Sequence, residues 1–495
     1  MMDLLYGDFP AAENKRFVDS SSLKALRLAN SFSHFYSDIN RLDRFFRIAA
    51  LQSSREVIIY RQEIIKDFAG IPLLLSKLFD SFNRAFEYYT SYTDVKKQFY
   101  SDSSRRPGGG KVLDFLTETA WWLKKLLILQ NEIYDLLAAS PVRSDGLCKY
   151  RDHLSETVNS AEYHDLLKTL TLLESKNAFM TAGTLEIQLS DGANMSTKYV
   201  LPDENKSDDS KPTGIKRFFK KKKDNTDVSY GKVRIDENLF TDHSFASSFA
   251  RPIIDELSQI IKSIHSEYSS NLAALKFYDV AVAYVNYLIQ HGIALCYPQF
   301  GSVAEITNLK DLYLLTVTQD RTVVPNDFHF KNDKNGTLII GENGSGKTVY
   351  LRSIASSYIL ANAGLPIPAE NAVIELPTGI FVMMASSERA LERAGQGGRF
   401  ESEVSDLSDF VRNVESGSFV FLNEIFQSTS YDEGADALYS VLDHFSNERV
   451  KWILVTHLEQ MIPMFESEAS VIIQKTARED GFRFSFLKQS INKRK

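Results

Sequence analysis

The sequence predicts an α/β domain with a mostly parallel sheet at its C-terminal end, preceded by a long all-α region that carries a small β insertion. Three observations predict it. From about residue 306 onward, short apolar strand-like runs alternate with helix-like runs, the pattern of strands joined by crossover helices. Across much of residues 23–173, and again over 252–294, apolar residues recur at helical spacing with few Gly or Pro. Between those stretches, residues 184–189 and 231–235 alternate apolar and polar like strands.

Bulk properties bound the function. A chain of 495 residues predicts two to four domains at roughly 150 residues each. Hydrophobic content of 43% supports ordinary cores, and a net charge of -7 excludes a polycation. Nucleic-acid contact would have to come from local basic patches. The two cysteines, Cys148 and Cys296, are far apart in apolar surroundings, which predicts a reducing, cytoplasmic setting rather than a disulfide scaffold or a zinc site. Asp3, Asp8 and Glu13 interrupt the N-terminus, so no signal peptide is expected. The most apolar run, around Trp121 and Trp122, is broken by Glu118, Lys124 and Lys125. A membrane span needs about 20 nearly uncharged residues, so a packed helix and no membrane partner are expected.

Taken in order, residues 1–20 read as a loosely held tail. Ser20, Ser21 or Ser22 is the expected cap of a helix beginning near Leu23. The pattern stays helical to about residue 100, with an amphipathic run at 58–68. Arg105-Arg106-Pro107-Gly108-Gly109-Gly110 reads as a loop. Helices are expected over 112–139 and 150–173. Residues 180–245 change character: two strand-like runs flank a polar excursion at 203–226 that contains Lys216, Arg217, Lys220, Lys221, Lys222 and Lys223. This excursion is either a phosphate-backbone contact or a solvated loop. Over 252–294, Ile253, Leu257, Ile260, Ile264, Tyr268, Leu272, Leu275, Val282 and Val285 mark one buried face of a long helix, in a strut or in a plain helical hairpin.

Gly341-Glu342-Asn343-Gly344-Ser345-Gly346-Lys347-Thr348 has the form of a P-loop, between the apolar run 337–340 and the helix-like run 349–355. Glycines let backbone N–H groups turn inward to form, with the helix N-terminus, an anion nest. Lys347 would add charge for the β- and γ-phosphates, and Thr348 a hydroxyl for Mg²⁺. A Gly-rich turn can be only a turn, but the Gly-Lys-Thr ending and these flanks favour phosphate. Residues 418–422 read as a buried strand ending in Asn423 and Glu424. Glu424 stands where a general base would polarise water, and Asn423 stands where Asp usually holds the metal. His457 follows another buried strand at 451–456, placed either as a γ-phosphate sensor or as a structural strand-end histidine.

These motifs together resemble the MutS mismatch-repair ATPases, of the ABC class. Val324-Pro325-Asn326-Asp327 looks like the segment leading into that family's P-loop strand. The P-loop is followed by Tyr350-Leu351-Arg352, as in the family. The stretch from Ala363-Gly364-Leu365-Pro366 to Ala372 is similar to its G-x-x-V-P-A-x-x-A turn. Asn423-Glu424-Ile425 with Thr429, Ser430, Glu433 and Gly434 looks like D-E-I-G-R-G-T-S-T-x-[DE]-G, and Thr456-His457 matches the closing pair. More weakly, residues 61–68 and the helix ending at Tyr297-Pro298 are similar to lever and clamp helices.

The resemblance implies an α/β P-loop ATPase domain of ABC/MutS type over 305–495. It implies a helical lever and clamp region over 21–300, with a β-containing tip at 180–245, after a tail at 1–20. It implies ATP and Mg²⁺ as cofactors, with no small-molecule substrate beyond ATP. Glu424 and His457 would be catalytic; Thr348 and Asn423 would face the metal. It also implies a homodimer that closes around ATP, with the helical arm passing that closure to a clamp on structured or branched DNA. Departures qualify this. The family's S-T-F-M-x-E signature, which acts in trans, falls on Gly398, Arg399, Phe400, Glu401, Ser402 and Glu403. Asn423 replaces Asp, and Phe426-Gln427-Ser428 replaces G-R-G. No N-terminal mismatch-reading domain, F-x-E wedge, C-terminal dimer extension or Smr-like tail is expected, so classical mismatch recognition is not implied. The rival expectation is a nucleotide-dependent switch or scaffold with little hydrolysis, gripping a protein, an RNA or the ribosome.

Overall fold

The computed structural model describes residues 3–9, 15–101, 109–174, 184–190, 194–200, 229–234, 243–318, 323–330, 333–384, 399–426, 431–479 and 483–488. In chain order the helices are α1 (Ser20–Ala25), α2 (Leu28–Ser33), α3 (Ile39–Ala49), α4 (Arg55–Gly70), α5 (Leu74–Ser101), α6 (Gly109–Ala138), α7 (Asp145–Val158), α8 (Ala161–Glu174), α9 (His243–Gln290), α10 (Leu312–Val317), α11 (Lys347–Ala363), α12 (Arg399–Asn413), α13 (Tyr431–Asn447) and α14 (Met461–Phe465). The strands are β1 (Thr184–Ser190), β2 (Asn194–Val200), β3 (Ser229–Arg234), β4 (Gln299–Phe300), β5 (Ala304–Leu309), β6 (Asn326–Phe330), β7 (Gly336–Ile340), β8 (Asn371–Ile374), β9 (Ile380–Met384), β10 (Phe419–Asn423), β11 (Lys451–Thr456), β12 (Val471–Glu479) and β13 (Arg483–Lys488). They fall into two compact units: residues 1–4 with 71–275, and residues 5–70 with 276–495.

The second unit is α/β. Its main sheet has the order β13-β12-β7-β11-β10-β9. The five strands from β12 to β9 are parallel, and β13 closes the edge antiparallel. β7 and β10 are buried at every position. This explains their unbroken apolar character, since a parallel strand covered on both faces has no polar side. Leu338, Val420, Leu422, Trp452 and Leu454 from the sheet share one core with Leu438, Leu442 and Phe445 of α13. α11 is buried nearly all round, which is why its sequence shows little amphipathic stripe. A smaller sheet has the order β4-β8-β5-β6.

Residues 5–70 belong to this unit. Leu5, Phe17 and Val18 are buried rather than loosely held. Phe17 O accepts from Ile380 N at 2.6 Å, extending the sheet past β9. Ser22, expected as a cap, instead accepts from Val382 N at 2.9 Å. The cap of α1 is Asp19, which accepts from Ser22 N at 2.7 Å; a carboxylate also suits the positive helix N-terminus. An open sheet edge left bare would invite pairing with another chain, and this segment covers it. The tie to α11 is Asn362. Its Oδ1 accepts from Ser53 N at 3.0 Å, and its Nδ2 donates to Ala49 O at 3.1 Å and Leu51 O at 2.8 Å.

The first unit is helical with one antiparallel sheet, order β2-β1-β3. β2 lies outside the two strand-like runs expected here; it pairs with β1 from Thr184↔Val200 to Ser190↔Asn194. The single helix expected over 150–173 is two, α7 and α8, broken at Asn159 and Ser160 without Gly or Pro. Ser160 Oγ accepts from Tyr163 N at 3.1 Å, so a hydroxyl cap starts α8 and the break costs little. α9 starts before Pro252, which it contains, and ends at Gln290 rather than 294. On its expected stripe Ile260 and Ile264 are only half-buried, while Ile254 and Ile261 take the core positions. By length and composition α9 could cross a membrane, but 61% of its most apolar window is buried within the protein. Core packing therefore accounts for its composition.

Candidate functional site

The site forms where parallel strands β7, β11 and β10 end side by side. Ile340 lies opposite Thr456, and Val455 opposite Asn423. Gly341, His457 and Glu424 therefore each leave the same sheet edge one residue beyond a strand. The carboxyl ends of strands in open α/β sheets are the usual ligand edge.

The loop from Gly341 to Gly346 turns β7 into α11. Gly341 has no room for a side chain, because a Cβ there would lie 2.0 Å from Thr476 Oγ1 on β12. Gly344 and Gly346 take left-handed φ values of 78° and 86°, which glycine adopts without the Cβ penalty. Ser345 N donates to Glu342 O at 3.2 Å, and Tyr350 N donates to Gly346 O at 2.9 Å as α11 begins. Glu342 and Asn343 are exposed on the outside of the turn. The Ser345 hydroxyl is buried with no hydrogen-bond partner among the described residues.

Lys347 is 3% exposed, with Nζ donating to Gly341 O at 2.7 Å and Glu342 O at 2.9 Å. Its Nζ is 3.9 Å from Glu424 Oε1. Burial pushes the Lys347 ammonium below its ordinary pKa, and the Glu424 charge works against that push. Thr348 Oγ1 donates to Asn423 Oδ1 at 2.9 Å. The threonine at the start of α11 and the strand-end amide, 75 positions apart, thus meet directly. Glu424 has a left-handed φ of 52°, and its N–H donates to Val455 O at 2.8 Å on β11. For a residue with a Cβ, that conformation costs about 1–2 kcal/mol, and such strain gathers at functional positions. His457 is half-buried beyond β11, where Leu458 N donates to Thr456 Oγ1 at 3.1 Å.

The phosphate half of the expected ligand fits these residues: left-handed glycines at a long helix's N-terminus, a buried ammonium, and an orphaned buried hydroxyl. The metal half fits less well. Thr348 and Asn423 offer two neutral oxygens, and no group of three or more His, Cys, Asp or Glu side chains able to hold a metal occurs among the described residues.

Of the residues anticipated from sequence, Gly341 to Thr348, Asn423, Glu424 and His457 converge at this edge. Gly398 lies outside the described residues, and Arg399 opens α12 with its side chain outside them. Lys216, Arg217, Lys220, Lys221, Lys222 and Lys223 also lie outside the described residues. Three supporting residues carry no such signal in the sequence. Thr476 sits against Gly341. Asn362 ties α11 to residues 49–53. Asp311 receives Arg352 in two bonds of 2.9 and 2.7 Å, one turn beyond Thr348 on α11. Asp311 has a local signal as the N-cap of α10, accepting from Leu314 N at 2.8 Å; nothing local pairs it with Arg352.

Comparison with known proteins gives a consistent picture. Residues 337–494 match the family model "MutS domain V". The chain is 25% identical over 234 residues to "Endonuclease MutS2" of Streptococcus sanguinis, covering 46% of this chain and 28% of that protein. It is 26% identical over 179 residues to "DNA mismatch repair protein MutS" of Desulfitobacterium hafniense, covering 36% of this chain and 20% of the relative. It is 29% identical over 174 residues to "DNA mismatch repair protein MutS 1" of Halobacterium salinarum, covering 35% and 20%. The matched part thus spans between a fifth and three tenths of these relatives' lengths.

Proposed function

We propose, from the premise that residues 337–494 are a MutS domain V and the chain a relative of the MutS proteins, that this protein is an ATP-dependent DNA-binding ATPase. Nucleotide binding and hydrolysis at the β7–β11–β10 edge would drive motion of the helical region on DNA. The observation that carries the reading is the convergence of Lys347, Thr348, Asn423 and Glu424 at the end of a glycine turn.

The chain's own residues divide the work. Backbone N–H groups of the glycine turn and Lys347 bind and orient phosphates. Glu424, fixed by its N–H bond to Val455 O, holds a water and takes its proton. His457 stands at the adjacent strand end to hydrogen-bond toward the terminal phosphate. Thr348 and Asn423 would face a Mg²⁺ ion, which when bound supplies charge neutralisation at the phosphates. A second copy would complete an ABC-type composite site, with Gly398 and Arg399 at the position of the trans-acting signature. The substrate of the helical region would be structured or branched DNA, bound through shape and phosphates. The basic segment Lys216 to Lys223 is the proposed contact, and mismatch reading is not part of the proposal.

A second reading is supported by Asn423. Without the usual carboxylate, turnover could be slow enough that the protein serves as a nucleotide-dependent switch on a protein or RNA partner. The test is nucleotide binding and ATPase rate in the parent, Lys347→Ala and Glu424→Gln proteins, with and without DNA. Expected are loss of binding in Lys347→Ala, turnover reduced about 10²- to 10⁴-fold with binding retained in Glu424→Gln, and stimulation of the parent by DNA. Unchanged affinity in Lys347→Ala refutes the phosphate site. Binding without turnover or DNA response moves the assignment to the switch.

A further inference from the structure

The end of β10 bears on the order and strength of metal dependence at this site, an inference that rests on the nucleotide reading above. The hydroxyl of Thr348 and the amide of Asn423 are already engaged with each other at 2.9 Å. Asn423 is 7% exposed, in a strand buried along its whole length, so its neutral amide is a fixed part of the wall. Beside the turn Lys347 and Glu424 bring opposite charges to 3.9 Å from each other, and the carboxylate of Glu342, within the turn, is exposed. Mg²⁺ dehydrates reluctantly and is ordinarily held through one or two carboxylates together with substrate phosphates. Two neutral oxygens do not supply that charge.

We infer that this site binds a nucleoside triphosphate almost independently of Mg²⁺, the ion being recruited by the bound phosphates rather than by the protein. Two physical consequences follow. Without metal, a carboxylate at position 423 would repel the phosphate anions; an amide does not. With metal, a carboxylate would add a strong ligand; an amide adds a weak one. Both effects shrink the difference between metal-free and metal-loaded binding. Whether the side chain at position 423 is neutral or charged thus governs the ratio of nucleotide affinity in excess Mg²⁺ to that in EDTA.

The experiment measures affinity for a non-hydrolysable ATP analogue by calorimetry, in excess Mg²⁺ and in EDTA, on the full chain. Three proteins are compared: the parent, Asn423→Asp, and Asn423→Ser as a neutral change of shape. Circular dichroism and thermal unfolding identify any variant that has not folded. The parent is expected to show less than about a tenfold gap between the two conditions. Two unit charges near 4 Å still interact appreciably at an intermediate dielectric. Asn423→Asp should therefore widen the gap by about tenfold or more, mainly by weakening binding in EDTA. Asn423→Ser should keep the narrow gap. A parent gap of a hundredfold or more, or an Asn423→Asp gap equal to the parent's, overturns the inference while leaving the nucleotide site standing. Absence of analogue binding in either condition overturns the nucleotide reading itself.

Discussion

Replacing Arg352 by Ala should remove a large part of the stability of the α/β unit without touching the phosphate loop directly. The guanidinium donates twice to Asp311, Nε to Oδ2 at 2.9 Å and Nη2 to Oδ1 at 2.7 Å. The two side chains are 9% and 2% exposed, so neither charge can be rehydrated in place. Removing one partner of a buried pair costs about 3–5 kcal/mol. Asp311 keeps its bond from Leu314 N at 2.8 Å, which places the cost near the lower end. Loss of the Arg352 stack on the Tyr313 ring, 4.7 Å to the centroid, adds about 0.5–1 kcal/mol. The expected total is about 3–4 kcal/mol, against a typical domain stability of about 5–15 kcal/mol. Trp452 lies in β11, whereas Trp121 and Trp122 lie in α6 of the other unit. Urea unfolding in a Trp121→Phe, Trp122→Phe background, followed by fluorescence, would report on the α/β unit alone. A companion cycle with Asp311→Ala should show coupling of about 2 kcal/mol or more. A loss below about 1 kcal/mol, or strictly additive losses in the cycle, would refute the claim that this pair holds α11 in place.

Three further outcomes are expected. Glu424→Gly should be more stable than Glu424→Ala by about 1 kcal/mol, because φ at this position is 52° and only the alanine retains the Cβ penalty; both should lose turnover, and melting temperatures that rank Ala at or above Gly would remove the strain argument. Gly364→Ala should destabilise by about 2–4 kcal/mol, since φ is 87° and the added Cβ would meet Arg61 Cβ at 2.8 Å; a melting temperature unchanged from the parent would show that α4 yields freely there. Replacing Lys220, Lys221, Lys222 and Lys223 by Ser should lower the slope of log affinity for duplex DNA against log salt by about 0.9 for each phosphate that is no longer neutralised; an unaltered slope would return that segment to a solvated loop.

The parts of the site that sequence made legible are those whose chemistry is local. Gly344, Gly346, Lys347 and Thr348 are adjacent or nearly so, and the turn they impose follows from what each residue permits at its own φ. Strand ends at Asn423, Glu424 and His457 were readable because parallel strands buried on both faces are short apolar runs that stop where polar residues begin. Two features that are just as local escaped, because several side chains in reach could have served as the cap. The break at Asn159 and Ser160 has no Gly or Pro to announce it, and the start of α1 depends on Asp19 capping where three serines looked equally suitable.

By itself, then, the sequence determined the glycine turn, the apolar strands around it, and which polar groups stand just past their ends, because backbone preference and alternation act between near neighbours. Only the tertiary structure decided that residues 5–70 fold with residues 276–495. Only it joined Asp311 to Arg352, Asn362 to residues 49–53, and Thr476 to the floor beneath Gly341. Among these, Asp311 and Arg352 stand 41 positions apart, and Asn362 and Ala49 stand 313 apart. A hydroxyl, amide or carboxylate carries no mark of which distant donor or acceptor will reach it. That is settled only when burial brings two segments together and the great majority of buried polar groups find a partner.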